Sequence, residues 1–160
     1  MQLTRPLSAI LLLSIAACGG SDSVTGTNST GNCGTATTIS ATIDGTAWCS
    51  PAASASRGTN SIIAVAGIDL GLTASVAFGL VAPAPGTYSV AFGNNTFGSA
   101  SVTKVGKGWS SAVQGGTGSV TFTTLTANHV VGTFAFDAVG ASGGATGTVH
   151  VTNGKFDITF

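Results

Sequence analysis

Apolar and polar side chains alternate along most of the chain after residue 37. Residues 38–43 read TISATI and residues 155–160 read KFDITF, with every second side chain apolar. The same pattern recurs over 74–80, 88–92 and 130–136. A period of two places one face of a strand in a core and the other in solvent, and helical spacing is absent after residue 37. Val, Ile, Thr and Phe, which favour strands, dominate these runs, so the sequence predicts an all-β domain.

Turn-forming residues interrupt the alternating runs at regular intervals. Asn153-Gly154 is the clearest, because a two-residue hairpin turn needs residues that tolerate positive φ at both central positions. About ten short strands at this spacing predict an antiparallel β-sandwich or a flattened barrel, and both architectures stay open. Phe92 and Phe160 are predicted to share core faces with the other members of their runs. The interruptions are Asp44-Gly45, Pro83-Ala84-Pro85-Gly86, Gly93-Asn94-Asn95, Gly115-Gly116, Gly143-Gly144 and Asn153-Gly154.

The first residues have the three-part order of a bacterial secretory leader. Arg5 supplies a positive charge, and Leu7–Ala17 is an apolar run that ends in two alanines. This run is about half of the roughly 20 residues that span a bilayer, so residues 1–17 are predicted to form a signal helix that is cleaved. Residues 18–36 are rich in Gly, Ser and Thr and are predicted to be a flexible linker, followed by a single β domain over residues 37–160.

The sequence Ile15-Ala16-Ala17-Cys18 resembles the lipobox of bacterial lipoproteins. The resemblance implies that the Cys18 sulfur carries a diacylglycerol, that cleavage makes Cys18 the first residue, and that its amine is acylated. Two or three acyl chains would anchor the protein stably to a membrane of the cell envelope. In similar lipoproteins Asp after the cysteine marks retention in the inner membrane. Gly19 at that position therefore favours the outer membrane.

Cys33 and Cys49 remain once Cys18 is lipidated, and an exported protein meets an oxidising compartment. The even pair predicts a disulfide, which would contribute about 3 kcal/mol in the chain-entropy model. Two reduced thiols are the alternative.

Three segments are similar to a group of small exported bacterial lipoproteins that is uncharacterised. They are ATIDGTAW near the start of the domain, GTYSV in its centre, and VVGTFAFDAV with TGTVHVTNGKFDITF at its end. The resemblance implies a compact β fold at the cell envelope and no known reaction. The matched positions read as turn and core residues: Asp44, Gly45, Trp48, Gly132, Phe134, Phe136, Asn153, Gly154 and Phe156.

Composition and motifs exclude several functional classes. Without the leader, four Lys and Arg face five Asp and form no basic stripe, so nucleic acid is not expected as a partner. Two separated histidines and no Glu offer too few ligands for a metal site, and no cofactor is predicted. Residues 140–144 fit G-x-S-x-G, but a strand is predicted after them where a nucleophile elbow needs a helix.

Two tryptophans are the remaining candidates for ligand binding. Trp48 follows a tight turn and adjoins Cys49, so it is interpreted as a core residue. Trp109 follows Gly106-Lys107-Gly108, and Trp109 together with Lys107 is the candidate ligand surface for a protein or glycan partner.

The leading hypothesis is a membrane-anchored exported lipoprotein that acts as a non-enzymatic binding or structural module. One alternative is a small envelope hydrolase that uses His129 or His150, since hydroxyl groups are plentiful. Another is an outer-membrane β-barrel, which the terminal Phe160 suggests. Few aromatic residues, and strands predicted to be shorter than the roughly 9–11 residues of a membrane crossing, argue against the barrel.

Overall fold

The computed structural model describes residues 38–82, 84–94 and 98–160 as one curled antiparallel sheet that forms a half-barrel. This confirms the all-β prediction. A short 3₁₀ turn, Thr59–Ser61, is the helical element in this part of the chain, and no helix there is long and apolar enough to cross a membrane. The strands are β1 (Thr38–Ile43), β2 (Thr46–Ser50), β3 (Ser54–Arg57), β4 (Ile62–Ile68), β5 (Ala74–Val81), β6 (Gly86–Ser89), β7 (Ser99–Lys104), β8 (Lys107–Ser110), β9 (Thr117–Leu125), β10 (His129–Ser142) and β11 (Thr148–Thr159).

The strand order along the sheet is β2-β1-β11-β10-β8-β7-β5-β4-β3. The first part of β10 pairs with β9 and its last residues pair with β8, so β8 and β9 lie end to end beside one long strand. On the side of β9 and β8 that faces away from β10, β6 pairs with β9 and β7 pairs with β8. The long strands β10 and β11 therefore lie at the centre of the half-barrel and pair with β1, β8 and β9.

The inner face of the sheet is filled by aliphatic and aromatic side chains. The ring centroids of Phe78 and Phe156 lie 5.3 Å apart, and those of Phe122 and Phe156 lie 5.4 Å apart. Trp48 is 8% exposed, as its interpretation as a core residue requires. Every buried apolar residue in the described part lies between Ile39 and Ile158, so this unit carries its own core.

The predicted core positions of Phe92 and Phe160 are wrong. Phe92 is 53% exposed, because β6 ends at Ser89 and the chain turns away at Phe92 and Gly93. Phe160 is 39% exposed, because it lies one residue beyond the end of β11.

Asn153-Gly154 lies inside β11 and makes a β-bulge there, so the predicted hairpin turn is wrong. On one side, Ser40 of β1 pairs with Lys155 and Thr42 pairs with Thr152, which leaves two residues opposite one. The pairing with β10 shifts at the same place. Asn153 has φ 54°, which a bulge needs as much as a turn does. Both neighbouring strands run past this point, so the chain cannot reverse there.

Three strands are longer than the sequence predicted. β9 has 9 residues, β10 has 14 and β11 has 12. β11 reaches this length because the bulge allows it to continue through what reads as a turn. The prediction at Asp44-Gly45 is confirmed: Ile43 pairs with Thr46 across a two-residue turn with φ 49° and 79°.

Two fully buried hydroxyl groups connect separate segments of the half-barrel. Ser50 of β2 accepts a hydrogen bond from the backbone N–H of Ile68 at the end of β4, at 2.9 Å. Ser111 donates to the carbonyl of Val90 and accepts from the N–H of Ala100 at 2.8 Å. The Ser50 bond joins β2, at one end of the strand order, to β4, the strand next to the other end, and holds the curl of the sheet.

Candidate functional site

Lys107 and Trp109 lie on β8 at one end of the half-barrel. Trp109 is opposite Val102 of β7, is half-buried, and packs against the core. Its Nε1 donates to the carbonyl of Thr146 at 3.1 Å, in the loop between β10 and β11. Lys107 is exposed. The indole is therefore held between the core and a loop, and only part of its surface is open to a ligand.

The predicted lipidation and disulfide residues are only partly within the structure. Cys49 lies on β2 and is half-buried. Cys18, Cys33 and the leader lie outside the described residues, so the Cys33–Cys49 pairing stays a prediction.

Each histidine pairs with an aspartate on a neighbouring strand, which sequence reasoning missed. His150 Nδ1 and Asp137 Oδ1 are 2.7 Å apart, and His129 Nε2 and Asp157 Oδ1 are also 2.7 Å apart. Both pairs stand on β10 and β11, where the register places Asp137 directly opposite His150 and places Asp157 diagonally across from His129. Register joins residues far apart in sequence, so no local signal could have shown these pairs.

The His150–Asp137 pair has two parts of a hydrolytic triad but lacks the third. Thr117 Oγ1 donates to Asp137 Oδ2 at 3.3 Å, on the carboxylate side rather than on the imidazole. A nucleophilic hydroxyl must instead bond to the second ring nitrogen of the histidine. Within residues 38–82, 84–94 and 98–160 no hydroxyl is hydrogen-bonded to that nitrogen of His150. In the same residues no group of three or more His, Cys, Asp or Glu could hold a metal ion.

The Gly140–Gly144 motif is a hairpin loop, as its context predicted. Ser142 ends β10, Gly143 and Gly144 form a turn, and the strand β11 follows.

Asp44 connects three strands at the same end of the half-barrel as Trp109. Its Oδ1 accepts from the backbone N–H of His150 at 2.8 Å, and its Oδ2 lies 2.9 Å from Lys104 Nζ on β7. Partial burial alone would raise the pKa of Asp44, but the hydrogen bonds from His150 and Lys104 and the positive charge of Lys104 outweigh it and lower that pKa. The carboxylate therefore fixes the β1–β2 turn against β11 and β7.

Two adjoining depressions lie on the outer face of β1, β11, β10 and β9. Their volumes are about 410 and 510 Å³, and Thr133 and Lys155 line both. Together they form what we call the hydroxyl groove. Its polar side chains are Ser40, Ser119, Thr121, Thr123, Thr133, Asn153, Lys155 and Asp157.

The hydroxyl groove lies where the register of the sheet shifts twice. One shift is the Asn153-Gly154 bulge, and the other is between Val131 and Gly132 in the pairing of β10 with β9. Bulges increase the local twist of a sheet and redirect side chains, which makes a pleated face concave. The sequence contained the hydroxyl residues but no signal that they face one another.

Comparison with protein-family models gives one match over most of the chain. A model described as a domain of unknown function, DUF6252, covers residues 35–158. Comparison with curated proteins and with solved structures gives no significant match. The family match agrees with an uncharacterised group and spans nearly all of the described residues.

Proposed function

Because the chain belongs to the family described as Domain of unknown function (DUF6252), which specifies no activity, we propose a function from the chain's own residues. The protein is an exported lipoprotein, anchored by lipid at Cys18 to the outer membrane, that acts as a non-enzymatic binding module. Its ligand occupies the hydroxyl groove and is a neutral glycan.

The proposed localisation rests on the N-terminal sequence. The leader, the Ile15-Ala16-Ala17-Cys18 motif and a linker rich in small polar residues follow one another in the order of a lipoprotein precursor. The Cys33–Cys49 pair suits an oxidising compartment.

The hydroxyl groove is the observation that carries the proposed binding role. Serine, threonine and asparagine side chains both donate and accept hydrogen bonds, which matches the hydroxyl groups of a sugar. Lys155 and Asp157 are opposite charges beside one another, so the groove does not select an ion of either sign. In a small-ligand site a few convergent polar groups fix the orientation of the ligand, and the groove supplies such groups.

Binding to a panel of neutral and acidic oligosaccharides, measured by calorimetry, tests the groove. We expect Thr133→Val and Lys155→Ala to weaken binding of a neutral oligosaccharide about tenfold, because each leaves sugar hydroxyls unpaired. Thr103→Val is the matched control, since Thr103 is exposed on β7 and does not line the groove. A ligand whose affinity is the same in all variants would place the site elsewhere.

Tryptophan fluorescence separates the hydroxyl groove from the Trp109–Lys107 surface. A ligand in the groove should leave the emission unchanged, because neither tryptophan lines it. A ligand that shifts the emission, and loses affinity in Lys107→Ala, would support the Trp109–Lys107 surface instead.

The intact mass of the protein from a membrane fraction tests the predicted cleavage and lipid anchor. We expect loss of residues 1–17, acyl chains on Cys18 and one blocked thiol pair before reduction. A free Cys18, or cleavage elsewhere, would contradict the anchor. If residues 35–160 stay soluble without detergent, the outer-membrane barrel alternative is excluded.

The hydrolase alternative is favoured by one observation, the 2.7 Å contact of His150 with Asp137. Turnover on a panel of simple esters that disappears in His150→Ala would support it. A panel without turnover would leave the binding module as the remaining hypothesis.

A further inference from the structure

Four exposed aliphatic side chains lie together at the end of the half-barrel that carries Asp44. They are Ile68, Leu70, Leu72 and Val105, exposed by 36%, 80%, 73% and 85%. We call this set the apolar rim. Leu70 and Leu72 lie in the β4–β5 loop, and Val105 lies in the β7–β8 turn. Exposed apolar groups scattered singly need no explanation, but a contiguous set indicates a contact surface.

The two segments of the apolar rim are held side by side. Ala74 of β5 pairs with Lys104 of β7, and the backbone N–H of Val105 donates to the carbonyl of Thr73 at 3.1 Å. Asp69 stabilises the β4–β5 loop, because its carboxylate accepts from the N–H of Thr73 at 2.7 Å and from its hydroxyl at 2.5 Å. The apolar tips therefore protrude from an ordered support.

The β7–β8 turn holds a valine where the fold would favour another residue. Val105 and Gly106 have φ 46° and 76°, and Asp44 and Gly45 in the β1–β2 turn have φ 49° and 79°. The two turns share one geometry, and Asn or Asp is preferred at its first position. A β-branched residue at positive φ is strained, so Val105 is unfavourable both for its backbone and for its exposure to water. Leu72 repeats this combination, with φ 53°.

Two lysines and two aspartates lie at the same end as the apolar rim, and Asp69 stands within it, between Ile68 and Leu70. Lys107 is exposed two residues after Val105, and Lys104 lies at the end of β7 with its Nζ paired to Asp44. The Asp69 carboxylate is turned toward Thr73 within its own loop. Lys107 is thus the charge at this end that has no ion pair within the described residues and is not bonded inside its own loop. An exposed cation beside aliphatic tips suits an anionic bilayer, in which acyl chains lie below the phosphates.

We propose that the apolar rim inserts into the surface of an anionic lipid membrane, with Leu70, Leu72 and Val105 among the acyl chains and Lys107 at the phosphates. Leu70, Leu72 and Val105 are 80%, 73% and 85% exposed, and side chains that protrude this far suit a soft lipid surface better than the flat face of a protein partner. This goes beyond the proposed function and does not depend on a ligand in the hydroxyl groove.

The length of the chain permits the orientation that this contact requires. The rim lies at the end of β1, and residues 19–37 precede its start. An extended chain of that length reaches about 60 Å, whereas β1 is about 20 Å long. A domain anchored at Cys18 can therefore turn its rim toward the membrane that holds it.

Flotation of the lipid-free chain, residues 19–160, with vesicles tests the proposal. The vesicles contain phosphatidylcholine alone or phosphatidylcholine with phosphatidylglycerol. We expect binding that is stronger to the anionic vesicles, and a loss of about tenfold or more in the double variant Leu70→Ser/Leu72→Ser. Lys107→Glu should weaken binding to the anionic vesicles alone.

Ile62→Ser is the matched control, because Ile62 is 46% exposed at the opposite end of the half-barrel. It should bind vesicles as the unaltered chain does. The proposal is overturned if the unaltered chain floats with neither vesicle, or if the double variant floats as well as the control. Self-association that the rim variants abolish would identify a second copy of the chain as the occupant and would also overturn it.

Discussion

Gly154, in the bulge of β11, has no room for a side chain. A Cβ there would overlap the backbone oxygen of Phe134, its nearest neighbour, and would lie 2.5 Å from the ring carbons Cγ and Cδ2 of the same residue. The bulge and the packing of Phe134 therefore depend on each other. Only glycine at this position leaves room for the ring, and the ring fills the space inside the half-barrel.

Gly154→Ala should lower the free energy of unfolding by about 3 kcal/mol, because the added methyl group overlaps a buried ring that cannot move away. Urea denaturation measures this. Gly144→Ala is the control, since a Cβ there meets nothing within 4 Å and only its φ of +70° opposes the change. The control should cost about 1 kcal/mol. Equal losses in both variants would contradict the steric explanation.

Asp44 should make the free energy of unfolding decrease as the pH falls into the acid range. Its pKa in the folded chain lies below the ordinary 3.8, so its contribution is present above that pH and is lost as the pH falls through the lowered folded value. Asp44→Asn should reduce stability at neutral pH and flatten its fall below about pH 4. Asp69 has a lowered pKa as well, since its bonds from Thr73 and Ala74 outweigh the opposing effect of burial, and part of the slope will remain.

The control for this pH series is Asp22→Asn, in the predicted linker. Thermal unfolding between acid and neutral pH should show the unaltered slope in that variant. A slope that is also unaltered in Asp44→Asn would mean that the Lys104 and His150 contacts do not stabilise the carboxylate.

Hairpins and bulges share one local sequence preference and differ in their partners. Asp44-Gly45 and Asn153-Gly154 both place a residue that tolerates positive φ before a glycine. The first reverses the chain because β1 and β2 pair with each other, and the second kinks a strand that has a neighbour on each side. The sequence predicted both positive-φ sites, but the pairing decided what each became.

Val105→Asn should stabilise the β7–β8 hairpin by about 0.5–1 kcal/mol, because Asn tolerates the left-handed backbone that Val resists. The same variant should weaken vesicle binding, since it removes an apolar side chain from the rim. Urea denaturation and flotation on one protein sample measure the two effects. A variant that loses stability would show that Val105 is retained for the fold and not for a contact.

The curl of the half-barrel depends on contacts between residues that are far apart in the sheet. Ser50→Ala should lower the free energy of unfolding by about 1–3 kcal/mol, because it leaves the backbone N–H of Ile68 without its partner. Ser54→Ala, at an exposed position of β3, should change stability by less than about 0.5 kcal/mol. Chemical denaturation compares them, and an equal effect would contradict the role of Ser50.

The predicted Cys33–Cys49 disulfide should act on the whole molecule by restricting the unfolded chain. Reduction should lower the free energy of unfolding by about 3 kcal/mol. Cys33→Ser should have the same effect as reduction, and a reductant should then change nothing more. Stability that is indifferent to reductant in the unaltered chain would favour two free thiols.

Strand identity, the confirmed turn at Asp44-Gly45 and the burial of Trp48 followed from the sequence alone, because period-two alternation and positive-φ preferences act between near neighbours. The order of the strands, the continuation of β11 through its bulge and the pairing of His150 with Asp137 did not. Each depends on register between segments distant along the chain, which no local pattern encodes. The hydroxyl groove and the apolar rim share this origin. Their residues could be read in the sequence, but only the pairing of strands distant along the chain placed Ser40 and Thr123 at one depression and Thr73 next to Val105.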